Sequence, residues 1–475
     1  MSNSQVESTS RPLARRPGRA SAPGAAATAP VRGESSLSQA GKPAPRASVR
    51  LVTLDPGHFH AALVQKEMYP GVARRAFVYA PLGPDLLAHL NRVAQFNARK
   101  ENPTNWELEI YVGPDFLERM VKDRRGNVVV LSGRNRGKIE RIRAAIEAGF
   151  HVLADKPWII EAADLPKLEA ALAAAERRGV VAYDIMTERF EITSILQREL
   201  VHDADTFGTV LAGSGEEPGV YIESVHHLFK EVAGAPLLRP PWFFDIHQQG
   251  EGLTDVGTHL VDLAEWTLFP ERATNYRRDI KVTGGKRWPV VMSKADFQRV
   301  TGEREFPEYL AAGGDRFEYY CNNQVSYVLR GVHVKLDVLW RYAAPPGTGD
   351  THLAIYRSSR SRVEVRQGKE ENYRPELYVV PNNGRDKAGV LAALKNKVEA
   401  LQAKFPGVAV EDRGKEMLVP IPDRYRVGHE AHFAQVARQF FGYLRDPKLL
   451  PAWENPDMLA KYYVTTRGVA VARPA

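Results

Sequence analysis

Two short stretches carry residue types able to move a proton. The first is HVLADKPW, residues 151–158, in which an apolar run ends at Ala154 and Lys156 follows. Open α/β sheets bind ligands beyond the carboxyl ends of their strands. A lysine that loses hydration there has its pKa lowered towards neutrality and can work as an acid or a base. The plain alternative is an exposed lysine ahead of a strand-ending proline. The second stretch is GEGLTDVGTHLVDLAEWTLF, residues 250–269. Leu253, Val256, Leu260, Leu263 and Thr267 step by three and four, as the buried stripe of a helix does. Asp255, His259, Asp262 and Trp266 then share another face. Two carboxylates, an imidazole and an indole in line make a pocket wall. The alternative is a polar face turned to water, with an indole left on it.

A third stretch, DPGHFHAAL at residues 55–63, follows the apolar run SVRLVTL, where a dinucleotide-binding chain has its G-x-G-x-x-G turn. Gly57 keeps the middle glycine, and Asp55 and His60 stand at the outer two. Asp55 is expected to point away from any phosphate. The remaining histidine pairs, His226–His227 in SVHHLFK and His429/His432 in GHEAHF, do not form H-E-x-x-H and have no Cys/His cluster beside them. Structural or substrate-contact roles are expected for them, and no metal. The single cysteine, Cys321, excludes an internal disulfide and reads as a small buried apolar group.

These residues need a frame. From Val49 the strands VRLVTL, RAFVYA, LEIYV, NVVVLS, HVLA and VVAYDI alternate with helical spacing, first in HFHAALVQKEM and later in PDFLERMVK, KIERIRAAIEAGF and DLPKLEAALAAAERRG. Strands alternating with helices predict a doubly wound parallel sheet. Residues 84–106 read as an insertion, longer than a typical connection. Beyond about residue 190, period-two segments such as QVSYVLRGVHVKLDVLWRY predict an open, mostly antiparallel sheet with helices on one side, and HEAHFAQVARQFFGYLRDP an amphipathic helix.

At 475 residues, 44% apolar and 26% charged, the chain has room for two domains. The expected division is a disordered basic tail at 1–48, a dinucleotide-binding domain at 49–185 and a substrate or oligomerisation domain at 186–475. The tail holds seven Lys/Arg against two Glu, which is +5 of the formal +8, so the rest lacks the basic stripe of a nucleic-acid binder. Arg15-Arg16 is not followed by the apolar core of an export signal, and no run approaches eighteen apolar residues. A cytoplasmic protein with neither membrane nor nucleic-acid partner is expected.

AGFHVLADKPW resembles the strand ending in (E/D)-K-P of the Gfo/Idh/MocA family of NAD(P)-dependent oxidoreductases. QGEGLTDVGTHLVDL resembles that family's G-G-G-x-x-x-D-x-G-x-H-x-x-D helix, with Glu251 replacing one glycine and a shorter spacer before Asp255. VVLSGRNRGKIERIRAAIEAGFHVLADKP follows the family's run from fourth to fifth strand, and the resemblance spans residues 49–270. It implies an N-terminal Rossmann domain, a C-terminal α/β domain whose large open sheet walls the substrate site, and NAD or NADP as cofactor. It further implies hydride transfer to or from a secondary hydroxyl or ketone of a sugar, glycoside or cyclitol. Lys156, Asp255 and His259 would surround the reacting carbon: His259 as the base, Lys156 stabilising the alkoxide, Asp255 orienting the imidazole or holding a hydroxyl. Lys156 and His259 can trade these roles. The cofactor would meet Pro56, Gly57, His58, Phe59, His60, Tyr79, Ser132, Asn135, Asp155 and Lys156, and the carbohydrate Arg189, His227, Trp242 and Asp262.

Tyr79 and Ala80 stand where NAD-specific sites carry a ribose-binding acid, which leaves NAD against NADP open. Two rival readings are NAD-dependent glycoside cleavage through transient oxidation and elimination, and a non-catalytic sugar or cofactor sensor on the same fold. An open sheet face leaves room for a homo-oligomer.

Overall fold

Short β-branched and aromatic runs build six strands: β1 Leu51–Leu54, β2 Arg75–Ala80, β3 Glu107–Val112, β4 Val128–Leu131, β5 His151–Asp155 and β6 Ala182–Ile185. All pair in parallel, in the order β3-β2-β1-β4-β5-β6. β1, β4 and β6 are buried along their whole length, which is why they read as continuous apolar runs rather than alternating ones. The order reverses between β1 and β4, so the ligand crevice lies beyond their carboxyl ends. The computed structural model describes residues 48–232, 235–310 and 313–473. The basic tail, Ser48 apart, lies outside the described residues.

Two expectations are corrected. Residues 84–106 are no insertion: they contain the crossover helix Pro84–Ala98, which buries Leu86, His89 and Val93 at i, i+3 and i+7. Conversely, the helix expected through HFHAALVQKEM is one turn long, His60–Leu63. Beyond it the backbone carbonyls are drawn to side chains, that of Gln65 accepting from Trp106 Nε1 at 2.7 Å and that of Lys66 from Arg99 at 2.7 Å. So short a helix presents no macrodipole to a phosphate.

The second sheet has nine strands. Near its middle, Val220–Phe229 pairs in parallel with Val332–Ala343 and antiparallel with Thr351–Arg357; the other pairings are antiparallel. The described residues from Ser48 onward form one compact unit. The helix His429–Arg445 packs Phe433, Phe440 and Phe441 into the same core as Val49, Leu51, Val128 and Leu153 of the first sheet. The helix Glu454–Ala472 lies against Gly257–Leu268 and the strand Ile280–Ser293.

Candidate active site

A cavity of about 740 Å³ opens at the carboxyl edge of the parallel sheet, walled on its far side by the second sheet and by the start of the helix His429–Arg445. Lys156, Asp255 and His259 all line it. Lys156 follows β5 directly. Asp255 ends the short helix Gly252–Asp255, and His259 lies in Gly257–Leu268; the joining residue, Val256, keeps helical dihedrals, so the two side chains remain one turn apart. Gly252 lets this helix start hard against the second sheet, since a Cβ there would lie 2.0 Å from the carbonyl oxygen of Cys321.

The charges differ from those expected at two points. The Lys156 ammonium is bonded to the Asp255 carboxylate. Burial pulls the lysine pKa down, but Asp255 and Asp155 outweigh it and hold it above its ordinary value. It is therefore a charged group rather than a lysine tuned to neutrality. Asp255 orients Lys156, not the imidazole. Burial, and then the Lys156 charge, lower His259 to about 3, so it is a neutral imidazole, with Nδ1 buried and unpartnered among the described residues. Burial alone would raise Asp255, yet Lys156 holds it down at about 2.

Beneath this trio lies the turn after β1. Asp55 adopts a left-handed φ of 47° and pairs with Arg141 of the helix Lys138–Glu147 at 3.3 Å. The His58 amide donates to the carbonyl of Ser132 at 3.1 Å, which ties the turn to the end of β4. Gly57 and Gly133 face each other: a Cβ on Gly133 would lie 2.4 Å from the Asp55 carbonyl oxygen, and one on Gly57 would lie 3.3 Å from Gly133 Cα. Asp85 and Trp242 cover the same spot, with Trp242 Nε1 donating to Asp85 at 3.1 Å. Pro56 is buried in the turn, while the side chains of His58, Phe59 and His60 line the cavity. His60 Nδ1 lies 2.9 Å from Asp155 Oδ2, and Ser132 Oγ donates to the same oxygen at 2.9 Å.

Other predicted residues are spent within the fold. Arg189 and Asp262 are buried against each other through two bonds of 2.6 Å, and Glu454 and Lys461 complete the cluster. Neither lines the large cavity; Arg189 borders a separate one of about 610 Å³ with Trp266. Tyr79 is buried and donates to Asp123 at 3.0 Å. The Asn135 amide donates to the Gln249 carbonyl at 2.7 Å. Trp242 sits over the Gly57 turn, outside the cavity's lining. Strand alternation puts His226, rather than His227, on the cavity wall, and His227 is buried beside Asp350 at 3.0 Å. The sequence reading did not single out Glu188 or Arg239, both cavity residues. Glu188 stood one residue from Arg189 in TERF, but no spacing marked it. The Cys321 thiol is buried and its pKa pushed up, as an inert filler requires.

The profile of the family described as "Putative oxidoreductase C terminal domain" matches residues 196–473. The chain belongs to this family of oxidoreductases. The resemblance to the Gfo/Idh/MocA family, read from the two motifs, stands with it. A crystal structure described as "a putative oxidoreductase from Parabacteroides merdae" shares 47% identity with this oxidoreductase, covers 90% of the chain and 98% of its own, and superposes with a TM-score of 0.88. Two more distant structures share the fold. GenD2 from gentamicin A biosynthesis, solved in complex with NAD, has 18% identity and a TM-score of 0.53, covering 90% of this chain and 97% of its own. KijD10, a 3-ketoreductase from Actinomadura kijaniata solved with NADP and TDP-benzene, has 13% identity and a TM-score of 0.52, covering 90% and 98%. No curated protein matches the chain. Among the described residues, no helix of the oxidoreductase is long and apolar enough to cross a membrane.

Proposed function

We propose that the chain is an NAD(P)-dependent oxidoreductase that transfers a hydride between the nicotinamide and a secondary hydroxyl or ketone of a carbohydrate. The observation that carries this reading is the charged Lys156–Asp255 pair beside a neutral His259, in one cavity at the switch point of the parallel sheet. Distant fold relatives solved with NAD, or with NADP and a nucleotide-linked ligand, support the choice of cofactor and substrate class.

The turn fits a dinucleotide through its backbone. A Cβ on Gly133 would strike the Asp55 carbonyl, and one on Gly57 would crowd Gly133, so the two glycines keep the crevice open. The backbone of residues 56–60 would hold the phosphates, with the Trp242 indole, bonded to Asp85, beside Gly57. When bound, the nicotinamide supplies the hydride acceptor or donor. The chain supplies the rest. Lys156, fixed by Asp255, donates a hydrogen bond to the oxygen on the reacting carbon and stabilises negative charge as it develops there. His259, kept unprotonated by its burial and then by the neighbouring ammonium, accepts the hydroxyl proton in the oxidative direction. The cavity's further hydrogen-bonding groups, among them Glu188, Arg239 and His226, suit a polyhydroxylated substrate.

The test is a titration of NADH and NADPH followed by tryptophan fluorescence, then turnover read at the nicotinamide absorbance across a panel of glycosides and 3-keto sugars. Saturable dinucleotide binding and turnover with one class of sugar are expected. Trp242→Phe should remove most of the fluorescence change. Absence of binding by either dinucleotide would refute the reading.

A further inference from the structure

We propose that His58, His60 and Asp155 form a binding site for one divalent transition-metal ion of the zinc class, its open coordination position facing the cavity. Among the described residues, this is the one trio of His, Cys, Asp or Glu side chains whose ligand atoms all lie within 4.8 Å of one another. The site is not the one weighed in the sequence, where the His226–His227 and His429/His432 pairs were the metal candidates. It rests on the H-x-H within the turn itself.

The geometry is that of ligands around a common centre. Metal–nitrogen and metal–oxygen bonds of about 2.0–2.2 Å in a tetrahedron place neighbouring ligand atoms about 3.4 Å apart. Asp155 Oδ2 lies 2.9 Å from His60 Nδ1 and 3.7 Å from His58 Nδ1, distances that bracket this value. A hydrogen bond between His60 and Asp155 accounts for the first distance but not for the second. His58 Nδ1 lies 3.4 Å from the His60 amide, a long contact, and 3.7 Å from the carboxylate oxygen, so neither neighbour holds it closely. A cation between His58 and Asp155 would take the Nδ1 lone pair in place of the long amide contact and bind the carboxylate oxygen as well. His60 Nδ1 then joins as a third ligand, leaving the fourth position for water or a substrate oxygen, the pattern of catalytic zinc sites.

The surroundings hold these ligands as a metal site requires. Asp155 ends β5, and Ser132, at the end of the adjacent β4, donates to its carboxylate. Lys138 donates to the Asp155 backbone carbonyl at 3.0 Å, and its own position is fixed by Asn135. Such outer contacts orient first ligands and are part of what makes a metal site tight. The turn's departure from three glycines gains a reason. Its backbone still serves the crevice, while His60, at the third glycine position, and His58, next to the glycine that is kept, aim imidazoles at the end of β5. Of the seven histidines that line this cavity, only His58 and His60 share a carboxylate within ligand distance of both.

The experiment uses the full chain, stripped with a chelator and titrated with Co²⁺, following ligand-field absorption in the visible. Metal content of the untreated protein is measured by mass spectrometry. One Co²⁺ per chain with tetrahedral-type bands is expected, displaced by Zn²⁺. His58→Ala and His60→Ala should each weaken binding by at least about 100-fold, with melting curves retained, while His429→Ala leaves it within twofold. If His60→Ala does not fold, His58→Ala and Asp155→Asn decide. No stoichiometric Co²⁺ binding, or binding indifferent to His58→Ala, overturns the proposal; so does binding lost in His429→Ala instead. Dinucleotide affinity is read in its own titration, so failure of the cofactor reading would leave the metal result standing, and the reverse.

Discussion

Replacing Asp262 by asparagine separates a carboxylate that works for the fold from one that works for the substrate. Arg189 spends four bonds inside the protein: two of 2.6 Å to Asp262, and bonds of 2.9 and 3.0 Å to Glu454. Lys461 lies 3.0 Å from Asp262 and 2.8 Å from Asp184. Asparagine keeps the volume but removes a charge shared by two buried cations. Breaking one partner out of a buried ion pair costs about 3–5 kcal/mol. Glu454 and Asp184 remain as counter-charges, so the lower end applies, about 3 kcal/mol. At an unfolding entropy of about 2.1 cal/mol/K per residue, a unit of this size has about 0.9 kcal/mol/K in all, and the loss lowers Tm by about 3 °C. Calorimetry measures this directly, with KM for the active substrate and the dinucleotide Kd expected within twofold of wild type. An unchanged Tm combined with a raised KM would refute the reasoning and return Asp262 to the substrate.

Lys156→Ala should lower turnover by about 10²–10⁴-fold while dinucleotide affinity changes little; near wild-type rates on an active substrate would remove Lys156 from the chemistry. Gly57→Val should abolish dinucleotide binding in a folded protein, because a Cβ already stands 3.3–3.4 Å from Asp85, Gly133 and Trp242 before the methyls are added; calorimetric titration of both proteins reads this, and equal affinities would count against the turn. Asp457→Asn tests the buried carboxyl that accepts from the Thr274 amide at 2.9 Å. Burial raises Asp457 to about 6, against about 3.9 in the unfolded chain, so wild type loses stability as pH rises from about 4 to about 6 and no further above that. The Tm of the asparagine variant relative to wild type should climb across that window, and a flat difference would exclude the shift.

The sheet strands and the Lys156, Asp255 and His259 positions were legible because each depends on local pattern: apolar runs of strand length, a lysine just past one of them, and a step of four along a helix. The fate of Arg189 and Asp262 was not. Their partners Glu454 and Lys461 lie 199 to 265 residues away, and nothing near TERF or THLVDL announces them. The one-turn helix at His60–Leu63 escaped because its end is set by Arg99 and Trp106 reaching back from the next crossover. His58 and His60 were visible as residues of a phosphate turn, read for their backbone. Their side chains acquire meaning only once β4 lies between β1 and β5 and brings Asp155 under them.

The return of His429–Arg445 to the first sheet also sets an order of events at the ribosome. The strands at 51–185 are made early, but one apolar face of their sheet is covered by Phe433, Phe440 and Phe441, which are made some 250 residues later. Until then that face is covered only in part, by Ala62 and Leu63 of the one-turn helix and by Val93 and Trp106 of the following crossover, and long-range contacts of this kind form late. A nascent parallel sheet without these phenylalanines exposes part of that apolar face, the kind of surface that chaperones bind. Completion of the cavity and covering of the sheet become one event, since the same helix brings His429 and His432 to the site. A chain truncated before residue 429 is expected to lose one wall of the cavity and to expose apolar sheet surface together, which its soluble yield beside that of the full chain measures.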